Sequence, residues 1–198
     1  MLQKTQFVTS AFNREGCPRW DRVEIAFAGR SNVGKSSLLN ALTGKRGLAR
    51  TSRTPGRTRS LNFFEAGETI ALVDLPGYGY AAMSHDQAAG LANLLRDYLI
   101  SRRNLVALAM LIDGRRGPER EELELAAMAA ERGIDLIVIA TKCDKLRAAK
   151  RAALPKLFAA VGGAPILCSA PDAEGIEQLR RVIRRYADRG MPGIAIHG

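Results

Sequence analysis

The sequence has no apolar run approaching the roughly 18–20 residues that span a bilayer. Its first twenty residues alternate polar and apolar, without the unbroken apolar stretch of a secretory signal. Membrane insertion and export are therefore not expected, and a cytoplasmic protein is. Cysteine is scarce: Cys17, Cys143 and Cys168 are odd in number and lack metal-ligand spacing, so we expect reduced thiols rather than a disulfide framework or a zinc site. Repeats, low-complexity tracts and linkers are also missing. The 198 residues thus read as one monomeric domain with a substantial core over 23–189, an extension over 1–22 packed on or near it, and a short tail over 190–198. Acidic residues are in deficit. Twenty Asp and Glu face thirty Lys and Arg, giving a formal charge of +10 and a pI near 10.1, which points to a polyanionic partner.

What is present is an alternation of short strand-like and helix-like segments. Residues 23–28 (VEIAFA), 69–73 (TIALV), 105–112 (LVALAMLI), 135–141 (DLIVIAT) and 164–168 (APILC) read as strands. Most are near-continuous apolar runs, the pattern of parallel strands covered on both faces. Residues 60–65 (SLNFFE) predict a hairpin with the second of these runs around Ala66-Gly67, and hence one antiparallel edge strand. Helices are predicted over 36–42, 87–100, 119–132, 145–160 and 173–187, with Pro155 kinking or splitting the fourth. The expected architecture is an α/β, doubly wound, six-stranded and mostly parallel sheet with helices on both faces.

Residues 29–36 (GRSNVGKS) fit the G-x-x-x-x-G-K-[ST] phosphate loop, after a strand and opening a helix. By residue usage the pattern arises by accident in about one per cent of chains this long. The glycines allow backbone N–H groups to wrap phosphates, and the helix N-terminus adds favourable partial charge. Lys35 would reach the β- and γ-phosphates and the Ser36 hydroxyl would ligate Mg²⁺. Residues 74–77 (DLPG) follow with a carboxylate, Asp74, to hold Mg²⁺ through water, and with Gly77, whose N–H can meet a γ-phosphate. In residues 141–144 (TKCD) the Asp144 carboxylate can accept both the N1–H and the 2-amino group of guanine, donors that adenine lacks. The Lys142 stem can pack over the purine. Ser169-Ala170 places the Ala170 N–H for guanine O6.

The loop over 51–59 (TSRTPGRTR) must sense the γ-phosphate. Thr58 is the first candidate for Mg²⁺ and the attacking water, with Thr54 and Thr51 behind it. The expected nucleotide-binding set is therefore Gly29, Arg30, Ser31, Asn32, Val33, Gly34, Lys35, Ser36, Ser37, Gly56, Thr58, Asp74, Gly77, Thr141, Lys142, Asp144, Lys145, Ser169 and Ala170. Within it Lys35, Thr58 and Gly77 are catalytic, and Ser36, Thr58 and Asp74 serve the metal. The ligands are GTP or GDP with Mg²⁺.

One expected part is missing. Many small GTPases carry a glutamine after DxxG that orients the water; here Tyr78 stands there, and slow hydrolysis is expected. Asn32 either helps hold a monovalent cation, K⁺, beside the phosphates or merely suits the loop conformation.

The blocks GRSNVGKSSLLNAL, TSRTPGRTRSLNFF, VDLPGYGYA, DGRRGP and TKCDKL resemble the EngB (YihA/YsxC) GTPases of the translation-factor-related class, over about residues 19–186. The resemblance implies a bacterial cytoplasmic factor in late assembly of the large ribosomal subunit, in a family also linked to division septation. It makes Thr58 the switch-I threonine of a TPGxTQ motif, from which Arg59 departs in place of Gln. The charge distribution agrees with an RNA partner. No acid lies between Glu24 and Glu65, whereas Arg50, Arg53, Arg57 and Arg59 do, and Arg180, Arg181, Arg184, Arg185 and Arg189 line the last helix. Arginines on a nucleotide-sensitive loop would make salt-sensitive RNA contacts depend on GTP. Two other functions fit the residues: a septation regulator without RNA action, and a binding module with negligible turnover.

Overall fold

An apolar strand can be buried at every position only when helices cover both faces of its sheet, and strand β2 (Val23–Gly29) is buried along its whole length. The computed structural model describes residues 2–49, 60–79 and 84–189. In chain order the other strands are β1 (Gln6–Ala11), β3 (Leu61–Ala66), β4 (Ile70–Asp74), β5 (Leu105–Asp113), β6 (Asp135–Thr141) and β7 (Ile166–Leu167). They form one sheet in the order β1-β3-β4-β2-β5-β6-β7. The pairs β2–β4, β2–β5, β5–β6 and β6–β7 are parallel, and β3–β4 and β1–β3 are antiparallel.

The doubly wound α/β class and the predicted hairpin are present. The strand count is corrected from six to seven, and the antiparallel edge is β1 rather than β3. Strand β1 eludes local reading because half of its residues are exposed and its pairing is with Leu61–Glu65, fifty or more positions away. A bulge between Phe7 and Thr9 interrupts its register, as is common on sheet edges.

Helices α1 (Lys35–Thr43) and α5 (Ile176–Arg189) pack on one face around Ile25, Phe27, Leu38, Leu42, Leu179 and Ile183. Helices α2 (His85–Ser101), α3 (Arg120–Glu131) and α4 (Ala148–Leu157) cover the other, around Phe63, Leu99, Leu108, Met110, Leu125 and Phe158. Pro155 lies inside the last turn of α4, which ends two residues later, and the helix predicted over 145–160 gives way there to a short 3-10 turn over Ala159–Val161. There the only amide it withholds is one that would have served Arg151 O.

Two polar features join distant segments. Arg180 of α5 donates from Nε to Leu42 O and from its terminal nitrogen to Ala41 O, both at 2.9 Å, capping the carbonyl end of α1. At the end of the sheet remote from the phosphate loop, the fully buried Glu24 carboxylate accepts from Trp20 Nε1 at 2.7 Å, from the Tyr98 hydroxyl at 2.8 Å and from the Arg102 guanidinium. All three cysteines are buried free thiols. Among the described residues no helix is long and apolar enough to cross a membrane.

Candidate functional site

The carboxyl ends of β2, β4, β5, β6 and β7 open on one rim of the sheet, where ligands bind in folds of this kind. Between β2 and α1 the chain turns through Asn32, with φ of 64°, and Gly34, with φ of 106°. The second value is open to glycine and strained for any side chain. Val33 N–H closes the turn on Arg30 O at 3.1 Å, and α1 then starts at Lys35 with its first amides facing the loop. Ser36 is half-buried and Ser37 exposed in that first turn.

Two residues that the sequence assigns to different tasks meet here. Lys35 Nζ forms an ion pair with Asp74 Oδ1, and both side chains are largely buried. Gly77 lies against the loop itself: a Cβ at this position would stand 3.3 Å from Ser31 N and Cα. Ser31 N–H donates to Tyr78 O at 2.8 Å, so the DLPG segment is fastened to the phosphate loop by its backbone.

The Tyr78 side chain turns away. It is buried against α3, and its hydroxyl donates to Glu122 Oε1 at 3.0 Å. Glu122 Oε2 accepts the Glu119 N–H at 2.9 Å, closing the capping box of α3. Burial and the neighbouring Glu122 carboxylate hold the phenol far above its ordinary pKa. Arg30, expected among the nucleotide contacts, directs its side chain to acids at the start of α3. Its guanidinium lies 2.9 Å from Glu119 and 3.0 Å from Glu121, directly under Gly79.

The base-side residues are linked to the same loop. The buried Thr141 hydroxyl donates to Val33 O at 2.8 Å. Lys142, in a left-handed conformation with φ of 58°, donates from Nζ to Asn32 O at 2.7 Å and lies 3.1 Å from Asp113 Oδ2. Asp144 and Lys145 are exposed in the short turn that follows. Ser169 is buried, donates to Asp172 Oδ2 at 2.8 Å and precedes the half-buried Ala170. Cys143 N–H reaches Cys168 O at 3.3 Å, and Arg151 joins Cys143 O to Glu174, so the two base-side loops form one unit.

Gly56, Thr58, the alternatives Thr51 and Thr54, and Arg50, Arg53, Arg57 and Arg59 lie outside the described residues, as do 190–198 and the Arg189 side chain. Residues missed by motif reading are Asp113, Glu122 and Arg151. For Asp113 a signal existed: it ends a strand on the ligand-binding rim. Burial pushes its carboxyl up, but hydrogen bonds from Arg115 and Lys142 outweigh this and hold it well below the usual carboxylate range.

With this geometry in place, the comparisons with known proteins become specific. Residues 24–142 match the family described as 50S ribosome-binding GTPase. The chain is 40% identical over 197 residues to the probable GTP-binding protein EngB of Pelotomaculum thermopropionicum, covering 97% of this chain and 98% of that one. It is 42% identical over 186 residues to the Roseobacter denitrificans protein of the same description, covering 90% and 86%. A crystal structure of a probable GTP-binding protein EngB superposes with a TM-score of 0.68 at 26% identity, covering 84% of this chain and all of the other. Carrying the phosphate loop, the DLPG turn and the TKCD loop on one rim of such a sheet, the chain belongs to the EngB family of GTP-binding proteins and is a GTPase.

Proposed function

We propose that the chain is a slow, cytoplasmic GTP-hydrolysing switch in assembly of the large ribosomal subunit, binding its nucleotide between residues 29–36 and the loops bearing Asp144 and Ala170. The observation that carries this reading is the meeting of Lys35, Asp74 and Gly77 at the mouth of the phosphate loop. Lys35 and Asp74 neutralise each other at short range, and a γ-phosphate with a divalent cation offers each a stronger partner. An oxygen-only set, the Asp74 carboxylate and the Ser36 hydroxyl, suits Mg²⁺. Bound there, Mg²⁺ would neutralise charge on the β- and γ-phosphates. Gly77, tight against Ser31, is proposed to offer its N–H to the γ-phosphate, and Thr58 is proposed to complete the metal site. Lys142 and Asp144 are proposed to hold the guanine by stem and carboxylate.

Slow turnover follows from Tyr78. Its hydroxyl is spent on Glu122 and its ring is buried, so it does not orient a water. K⁺ at the exposed Asn32 would supply the stabilisation that a missing arginine finger otherwise gives. The partner is proposed to be ribosomal RNA of the large-subunit precursor, contacted by Arg50, Arg53, Arg57 and Arg59 and by the last helix. On that helix Arg180 is committed to α1 and Arg184 lies 3.3 Å from Glu177, so exposed Arg181 and Arg185 carry most of the free charge.

The test is cosedimentation with large ribosomal subunits in a non-hydrolysable GTP analogue and in GDP, at two salt concentrations. Retention in the analogue that weakens with salt is expected; indifference to both would overturn the ribosomal role. Single-turnover hydrolysis in K⁺ and Na⁺, with and without subunits, separates a switch from a module with negligible turnover, since the switch requires acceleration by at least one addition.

A further inference from the structure

We infer that Asp113, the first residue of the DGRRGP block and given no role in the nucleotide-binding set expected from the sequence, is a positioning residue that pre-sets Lys142 for the purine. The inference rests on the guanine-nucleotide site proposed above. Lys142 leaves the end of β6 in a left-handed backbone conformation and crosses to the phosphate loop, where its ammonium meets Asn32 O at 2.7 Å and Asp113 Oδ2 at 3.1 Å. Its stem is therefore tethered at both ends, one in the base-side loop and one in the phosphate loop. A free lysine stem samples many rotamers, and a nucleotide packing against it would have to order them. Here the protein has already done so.

Asp113 is itself immobilised. Arg115 holds its carboxylate with the backbone N–H at 3.0 Å and with Nε and a terminal guanidinium nitrogen at 2.9 and 2.7 Å. The carboxylate remains ionised, so the clamp is a fixed negative charge, and charge-assisted contacts are stronger than neutral ones. Asn32 and Lys142 are two of the three non-glycine residues with positive φ among those described, and one ammonium joins them. The Lys142 ammonium, held by Asp113, thus links the ends of β5 and β6 to the loop after β2.

The test is stopped-flow dissociation of a fluorescent GDP analogue. In D113N the shape is kept and the charge lost, and release is expected to be about tenfold faster, as for removal of one hydrogen bond to a charged group. R115A leaves the carboxylate but loosens it, and about a threefold acceleration is expected by the same reasoning. Because a merely structural role would give independent effects, D113N is combined with K142A. The double variant should release nucleotide no faster than K142A alone. Wild-type release from D113N, or full additivity in the double variant, would overturn the inference. Failure of the wild-type chain to bind the analogue would instead defeat the nucleotide site itself.

Discussion

The Tyr78 hydroxyl donates to Glu122 Oε1 at 3.0 Å, tying the residue after DLPG to the capping box of α3. The same corner holds Arg30 between Gly79 and the acids Glu119 and Glu121. The segment after DLPG is thereby anchored by its Tyr78 side chain to a helix and by its backbone to Ser31.

From this anchoring we predict that Tyr78→Gln does not restore fast hydrolysis. The backbone directs the side chain at position 78 toward α3, and a carboxamide there would follow it into the Glu122 pocket. The substitution also removes a buried ring, with an expected loss of about 2–4 kcal/mol. Single-turnover hydrolysis and denaturant unfolding measure the two effects; a tenfold rate increase would contradict this placement.

Lys35→Ala removes the cation that faces Asp74 and, on the proposed reading, the phosphates. Affinity for GDP and GTP should fall by about two orders of magnitude, the effect of losing charge-assisted contacts to phosphate. Equilibrium titration with labelled nucleotide checks this, and wild-type affinity would undo the assignment.

Asp144→Asn exchanges an acceptor of two hydrogen bonds for a group that can donate one. Guanine nucleotides should lose affinity and xanthine nucleotides gain it, by about tenfold or more each. Competition between GDP and XDP is the measurement, and unchanged selectivity would remove Asp144 from the base site.

Arg102→Ala leaves the Glu24 carboxylate fully buried beside only Trp20 and Tyr98. Breaking one side of such a pair destabilises by about 3–5 kcal/mol. Since this cluster lies at the opposite end of the sheet from residues 29–36, nucleotide affinity of the folded variant should stay within about threefold of wild type. Urea unfolding paired with nucleotide titration tests both halves.

Cys168 supplies a pH dependence. Burial, then the neighbouring Cys143, pushes its thiol from an ordinary value of 9.0 up to about 12. The folded state therefore keeps the proton that the unfolded chain releases. Stability contributed by the neutral thiol is complete below pH 9.0 and is lost progressively as pH rises toward about 12. Unfolding free energy should fall as pH rises from 9.0 toward about 12, and Cys168→Ala should flatten that slope.

The phosphate loop, the DLPG turn and the TKCD loop were legible in the chain because each is a local problem. Gly34 serves a backbone with φ of 106°, Lys35 opens a helix, and apolar runs such as 105–112 form buried strands wherever they lie. Local periodicity also predicted the helices to within a few residues. It could not predict partners. Strand β1 exists because Leu61–Glu65 offers it a ladder, the Arg30 guanidinium settles on Glu121 across 91 positions, and Arg180 spans 139 positions to cap α1. Asp113 meets Lys142 only because β5 and β6 are parallel neighbours that end together. The sequence by itself determined which chemical groups the rim carries. Only the tertiary structure decided which way charged side chains point, since a long side chain settles on whichever opposite charge or carbonyl the packed elements bring within reach.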